Sequence, residues 1–178
     1  MMEQAELRLL IVGAAMAYSL EPDLVEAVVQ VESGGNPFAW NPEPKYRWLY
    51  NVRTHQPFRA LTQAEASSKT PPLDFPVLAG DRDNEWLAQQ ASWGLMQVMG
   101  AVARELGCKV PYLPELTQPD LNLDLGCRHL ASHLKWAQGN VRKALGAYNA
   151  GRGGAEGTAG QAYSAHVLAG LDAIRRHV

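Results

Sequence analysis

Apolar side chains recur every three to four positions over most of this chain, the spacing of helices that bury one face. The first such segment covers residues 5–18. The second covers 22–33, where Pro22 suits a first helical turn and Gly34 with Gly35 supplies the stop. At about 100° per residue, Leu24, Val28 and Val31 share one stripe, and Glu32 falls about 40° beyond Val28. That carboxyl therefore borders the apolar face instead of opposing it. From Asn36 to about Asn84 helical spacing is lost. Seven of the 11 prolines fall there (Pro37, Pro42, Pro44, Pro57, Pro71, Pro72 and Pro76), alongside Trp40, Tyr46, Trp48, Tyr50, Phe58 and Phe75. The stretch over about 37–85 reads as a loop-rich insertion, either a functional wall or a small satellite core, with room for a hairpin around Tyr46 to Phe58. Helical spacing returns near 86–90, 94–106, 122–137, 140–149 and 160–177, with Asn122 as an N-cap and Gly139 as a stop. Five glycines over 151–160 read as a mobile connector. No alternating β-branched segment stands out. The pattern predicts an all-α, mainly helical fold, a single domain over 1–178 carrying one Pro-rich irregular insertion.

Composition narrows the classes. The chain has 178 residues, 47% hydrophobic and 19% charged, which is globular and not disordered. Lysine plus arginine number 16 against 18 acidic residues, a net charge of −2. A dedicated nucleic-acid binder would carry a basic excess, so no nucleic-acid partner is expected. The longest apolar run, Leu9 to Leu20, is too short to span a bilayer, which needs about 20 residues. Glu3 and Glu6 precede it against a single Arg8, so the basic flank of a secretory signal is missing and the run reads as a first core helix. Two cysteines, Cys108 and Cys127, exclude a disulfide scaffold and a four-cysteine zinc site. They would pair in an oxidising compartment and stay as free buried thiols in the cytoplasm. His129 and His133 share a helix face without the glutamate of a zinc-protease motif, so they read as packing or surface residues, and no metal or other cofactor is expected.

Three clusters carry chemistry. In Val31-Glu32-Ser33-Gly34-Gly35-Asn36-Pro37, a glutamate at a helix C-terminus meets the negative end of the macrodipole and borders an apolar face. Both effects favour the protonated acid, which is what a departing glycosidic oxygen needs as a proton source. In Ala91-Ser92-Trp93-Gly94-Leu95-Met96-Gln97-Val98-Met99-Gly100, Gly94 permits close backbone approach and Gln97 offers a donor and an acceptor. Met96 and Met99 are adaptable apolar surfaces that by themselves read as core. In Ala147-Tyr148-Asn149-Ala150-Gly151, a phenol and an amide stand at a helix end.

In this order, ESGGNP at 32–37, GLMQVM at 94–99, NLDLGCRHLASHL at 122–134 and ALGAYNAG at 144–151 resemble the lysozyme-like lytic transglycosylases of the soluble-transglycosylase type, related to goose-type lysozyme. Tyr163 with Val167 resembles the closing helix of that family. The resemblance spans about residues 10–170. It implies a compact lysozyme-like helical domain with a cleft for a peptidoglycan glycan strand. The acid/base it implies is Glu32, with Tyr148 positioning it. Ser92, Gly94, Met96, Gln97 and Met99 become substrate contacts, and Ser33 and Asn149 supports of the site. The implied reaction breaks the β-1,4 bond between N-acetylmuramic acid and N-acetylglucosamine and closes a 1,6-anhydro ring, without a metal. The chain departs from the family pattern at Trp93, Gly100 and Arg152, and residues 38–93 make an unusually long separation between the first two motifs. A hydrolytic muramidase would instead need a second carboxylate about 6.5–9.5 Å away, for which Asp74, Asp81, Asp83 and Glu85 are the candidates. A non-catalytic glycan-binding or structural role is the remaining alternative. The size and the acidic N-terminal flank lead to the expectation of a monomeric phage lysis or virion-associated enzyme, made in the cytoplasm and acting on the wall, with an exported periplasmic enzyme whose signal has been trimmed as the alternative.

Overall fold

The computed structural model describes residues 3–176. Its elements run α1 (Gln4–Ala17), α2 (Pro22–Ser33), β1 (Trp40–Pro42), β2 (Tyr50–Asn51), β3 (Gln56–Pro57), α3 (Gln63–Ala66), α4 (Arg82–Gln89), β4 (Ala91–Trp93), β5 (Val98–Met99), α5 (Gly100–Glu105), α6 (Pro119–Trp136), α7 (Val141–Gly154) and α8 (Thr158–Arg176), with a 3-10 turn at Leu113–Thr117 ahead of α6. The fold is mainly helical, as the periodicity predicts. The chain forms two compact units, one from Met1–Asn36 with Leu123–Val178, the other from Pro37–Asn122.

In the first unit, α1 buries Leu7, Ile11 and Ala15 at helical spacing, and α2 buries Leu24, Val25, Ala27, Val28 and Val29. Arg8 ties the two helices together by donating to Asp23 at 2.6 Å and to Glu26. Helix α8 packs along α7 and α2 through Ser164, Val167 and Leu171. Leu123, Leu125, Cys127 and Leu130 of α6 are buried in the same unit. Tyr18 reaches α6 through a 2.5 Å bond to Asp124.

The second unit holds a three-stranded antiparallel sheet in the order β1-β4-β5 and the β2-β3 hairpin. Trp40 pairs with Trp93, and Ser92 with Met99. Leu49, Phe75 and Trp86 form its core, with Phe58 on Phe75 and Phe75 on Trp86 edge to face at 5.1 Å each. Beneath α4 and α5 lies an ion pair that is almost wholly desolvated. Arg104 donates to Glu85 from Nε at 2.9 Å and from a terminal nitrogen at 2.8 Å, and its other nitrogen serves the carbonyls of Cys108 and Val110.

Several sequence expectations hold: α2 has the expected bounds, the hairpin appears at β2-β3, the proline-rich stretch is mostly irregular, and Gly34 and Gly139 follow helix ends with positive φ. Others are corrected. Residues 94–106 are not one helix, since 91–99 form the β4-β5 hairpin and only 100–105 are helical. Gly94 and Gln97 adopt φ of 71° and 46°, which turns the chain where a helix would need negative φ. Asn122 is no N-cap, because α6 begins at Pro119 and Asn122 is fully buried inside it. The 151–160 connector shrinks to a turn at 155–157, since α7 runs on to Gly154 with only Gly151 non-helical inside it and α8 begins at Thr158. Residue 177, the expected end of the last helix, lies outside the described residues. Cys108 and Cys127 are both buried and unbridged. No helix among the described residues is long and apolar enough to cross a membrane.

Candidate active site

Glu32 stands in the last turn of α2, partly buried, with the helix stopped two residues later by Gly34 in the left-handed conformation. From α8, the Tyr163 hydroxyl donates to Glu32 Oε1 at 2.5 Å across 131 residues of sequence. Tyr148 of α7 also feels the glutamate's charge. Burial, and then the negative charge of Glu32, raise both phenols far above their ordinary range, so each remains a protonated donor at any working pH. This unit thus assembles one carboxyl and two phenols from three helices. Ser33 fastens the helix end, donating to the Val29 carbonyl at 3.2 Å and accepting from the Gly35 amide at 3.2 Å. Asn149, one residue beyond Tyr148, is exposed.

Behind Tyr148 lie two imidazoles. His129 sits 5.2 Å from the tyrosine ring, and His133 6.5 Å from it. Burial chiefly, then His133 and the positive charge of Arg152, hold His129 down to about 3. Burial, then Arg152, hold His133 at about 4. Both are therefore neutral packing residues near pH 7.

In the second unit, the GLMQ segment is the tip of the β4-β5 hairpin. Asn122 splints it from within α6, accepting from the Met96 amide at 2.8 Å and donating to the carbonyls of Trp93 at 2.7 Å and Leu116 at 2.9 Å. Gly94 makes this possible, since a Cβ there would lie 2.5 Å from Asn122 Nδ2 and 2.6 Å from the Leu116 carbonyl oxygen. Gln97 is held from both ends. Its oxygen accepts from Ser92 at 2.9 Å, and its nitrogen donates to the carbonyls of Gly94 at 2.9 Å and Ala39 at 3.2 Å. Met96, Ser92 and Gly94 are buried, Met96 entirely, whereas Gln97 and Met99 keep some exposure. A cavity of about 270 Å³ in this unit is lined by Trp40, Glu85, Leu87, Trp93 and Tyr112; of the residues considered for the chemistry only Glu85, a candidate for the hydrolytic route, borders it.

The structure joins Glu32 to Tyr163, a residue that sequence reading places only in a closing helix and gives no role. Its distance along the chain hid it, and the only available signal was a tyrosine on one face of the last helix. Among the described residues no group of three or more His, Cys, Asp or Glu could hold a metal ion.

A sequence model of the family described as Transglycosylase SLT domain matches residues 10–167, almost the whole chain. This chain belongs to that family, whose members are peptidoglycan lytic transglycosylases with a lysozyme-like, mainly helical fold. It is accordingly an enzyme that acts on the peptidoglycan of the cell wall.

Proposed function

We propose that this transglycosylase cuts between N-acetylmuramic acid and N-acetylglucosamine with Glu32 as sole acid and base, leaving a 1,6-anhydromuramoyl end. The observation that carries the reading is the 2.5 Å bond from Tyr163 to Glu32 Oε1, beside the second phenol, Tyr148. With Oε1 accepting from a phenol, the acid's proton is carried on Oε2. Glu32 delivers that proton to the glycosidic oxygen as the C1–O bond breaks. The N-acetyl oxygen of the muramic residue bonds to C1 and relieves the sugar cation, one of the substrate-assisted exceptions to two-carboxylate chemistry. Glu32, now a carboxylate accepting from Tyr163, takes the proton of the muramic 6-hydroxyl. O6 then bonds to C1 and releases the N-acetyl oxygen, so no water enters the product.

The state of the other carboxylates supports this route over hydrolysis. Glu85 is committed to Arg104, Asp74 is bound by Arg59 at 2.7 Å, and Asp81 caps α4 by accepting from the Asn84 amide at 2.7 Å. Three of the four candidates for a water-activating base thus already have structural work. Substrate contacts are proposed at Ser33, Ser92, Gly94, Met96, Gln97, Met99, Tyr148 and Asn149, through backbone where the side chain is buried. A phage lysis or virion role belongs to the same proposal.

Mass spectrometry of digested sacculi tests substrate and reaction together. Anhydro ends are expected, and reducing ends in their place would overturn the mechanism. Glu32→Gln should lower turnover by about 100-fold or more, and undiminished clearing of sacculi would remove Glu32 from its role.

A further inference from the structure

The rings behind Tyr148 have no part in the chemistry above, yet their arrangement is specific. His129 and His133 lie one turn apart on α6 with Nε2 atoms 3.2 Å apart and rings edge to face at 4.4 Å. Two Nε2 atoms at that distance share one hydrogen, so one imidazole donates and the other accepts. His133 is buried, and its Nδ1 has no hydrogen-bond partner. If His133 accepted, its own hydrogen would sit on that orphaned Nδ1 as a buried unsatisfied donor. The less costly arrangement has His133 donating from Nε2 with a bare Nδ1, and His129 accepting. A second proton would set two N–H groups face to face, next to the positive charge of Arg152, so the pair is neutral in the working range. The same charge, and the lack of a third ligand among the described residues, argue against a metal ion on these nitrogens.

A leucine could fill the space of His133 and would remove the orphaned Nδ1 at the loss of the one bond to His129, so stability alone does not explain the imidazole. What the pair touches does. His129 meets the Tyr148 ring at 5.2 Å and 54°, and His133 meets it at 6.5 Å and 80°, so two rings whose planes are set by one hydrogen bond border the phenol that senses Glu32. Resting on the assignment of Glu32 as the acid, we infer that the neutral His129–His133 pair is a positioning device for Tyr148. It locks the phenol's plane and so holds its hydroxyl in place at the acid.

The test is a coupling measurement on the full chain, with kcat and KM determined on purified glycan strands. His133→Leu should lower kcat by about tenfold with KM little changed, while its melting temperature stays level or rises. His133→Gln keeps a donor amide and should recover part of the loss. In a Tyr148→Phe background, His133→Leu should cost nothing further, because the phenol that the pair positions is already gone. A His133→Leu enzyme with unaltered kcat, or one that loses the same factor in the Tyr148→Phe background, would overturn the inference. His129→Phe breaks the same hydrogen bond and gives the same reading should the leucine variant misfold. An active Glu32→Gln would refute the acid assignment alone, since coupling between positions 133 and 148 is read independently of it.

Discussion

Replacing Tyr163 by phenylalanine removes one oxygen and little else. That oxygen donates to Glu32 Oε1 at 2.5 Å, a short bond to an ionisable carboxyl. Bonds of this kind contribute about 1.5–3 kcal/mol when the acceptor is charged, and roughly half as much when it is neutral. The substitution acts in two ways. The carboxyl loses its tether in both halves of the cycle, so kcat should fall by about 10- to 100-fold. The hydroxyl faces the glutamate, so KM should change little. The difference between the charged and neutral bonds, about 1 kcal/mol, also favours the carboxylate in the unaltered enzyme. Without the donor the acid keeps its proton to higher pH, and the alkaline limb of the kcat profile should move up by as much as about one pH unit. Steady-state rates on soluble glycan strands from pH 4 to 9 supply both readouts. Unchanged kcat with an unmoved alkaline limb would refute the argument, as would a limb that moves to lower pH.

Other outcomes are expected from the same structure. Arg104→Met strands the buried Glu85 carboxylate and should cost about 3–5 kcal/mol in urea unfolding, whereas the double variant Glu85→Leu/Arg104→Met should recover most of it; equal losses in both would show that the pair is not the cause. Gly94→Ala must bend a φ of 71° and displace Asn122, so a loss of about 2–4 kcal/mol is expected, and an unchanged denaturation midpoint would contradict the splint. The histidine pair makes stability pH-dependent in a definite direction. With folded values lowered to about 3 and about 4, the unfolded chain binds more protons below the ordinary imidazole range of about 6.5. Its contribution is complete above that range and lost as pH falls towards the folded values. Between pH 7 and 5 the melting temperature should therefore fall more steeply for the native chain than for a His129→Phe/His133→Leu variant, and parallel curves would count against buried neutral imidazoles.

The parts of this fold that depend on neighbours along the chain were legible in the sequence. Helix α2 shows its start in Pro22, its face in Leu24 and Val28, and its stop in Gly34, so the placement of Glu32 at a helix end could be read directly. The hairpin at 91–99 could not. Its apolar residues, Leu95, Met96, Val98 and Met99, match helical spacing as well as they match a buried turn, and such short apolar runs do not distinguish the two. What decides the matter is Asn122, which binds the turn from 26 residues away and leaves no periodic trace. The site divides in the same way. The glutamate and the tyrosine of the AYNAG segment lie in recognisable local motifs, whereas Tyr163 meets Glu32 only after the helices pack. The histidine pair was visible as a shared helix face, but the phenol it borders comes from another helix.

The first unit is assembled from the two ends of the chain, with Pro37–Asn122 a continuous unit in the middle. During synthesis, residues 37–122 emerge as a complete set and can collapse before the C-terminal helices are made. Glu32 is made 131 residues ahead of Tyr163 and cannot meet it until α8 has been added, and closing a separation of that length carries its own entropic delay. A chain stopped before α8 would carry the glutamate without its tether, so the proposed acid is completed only once α8 has been made.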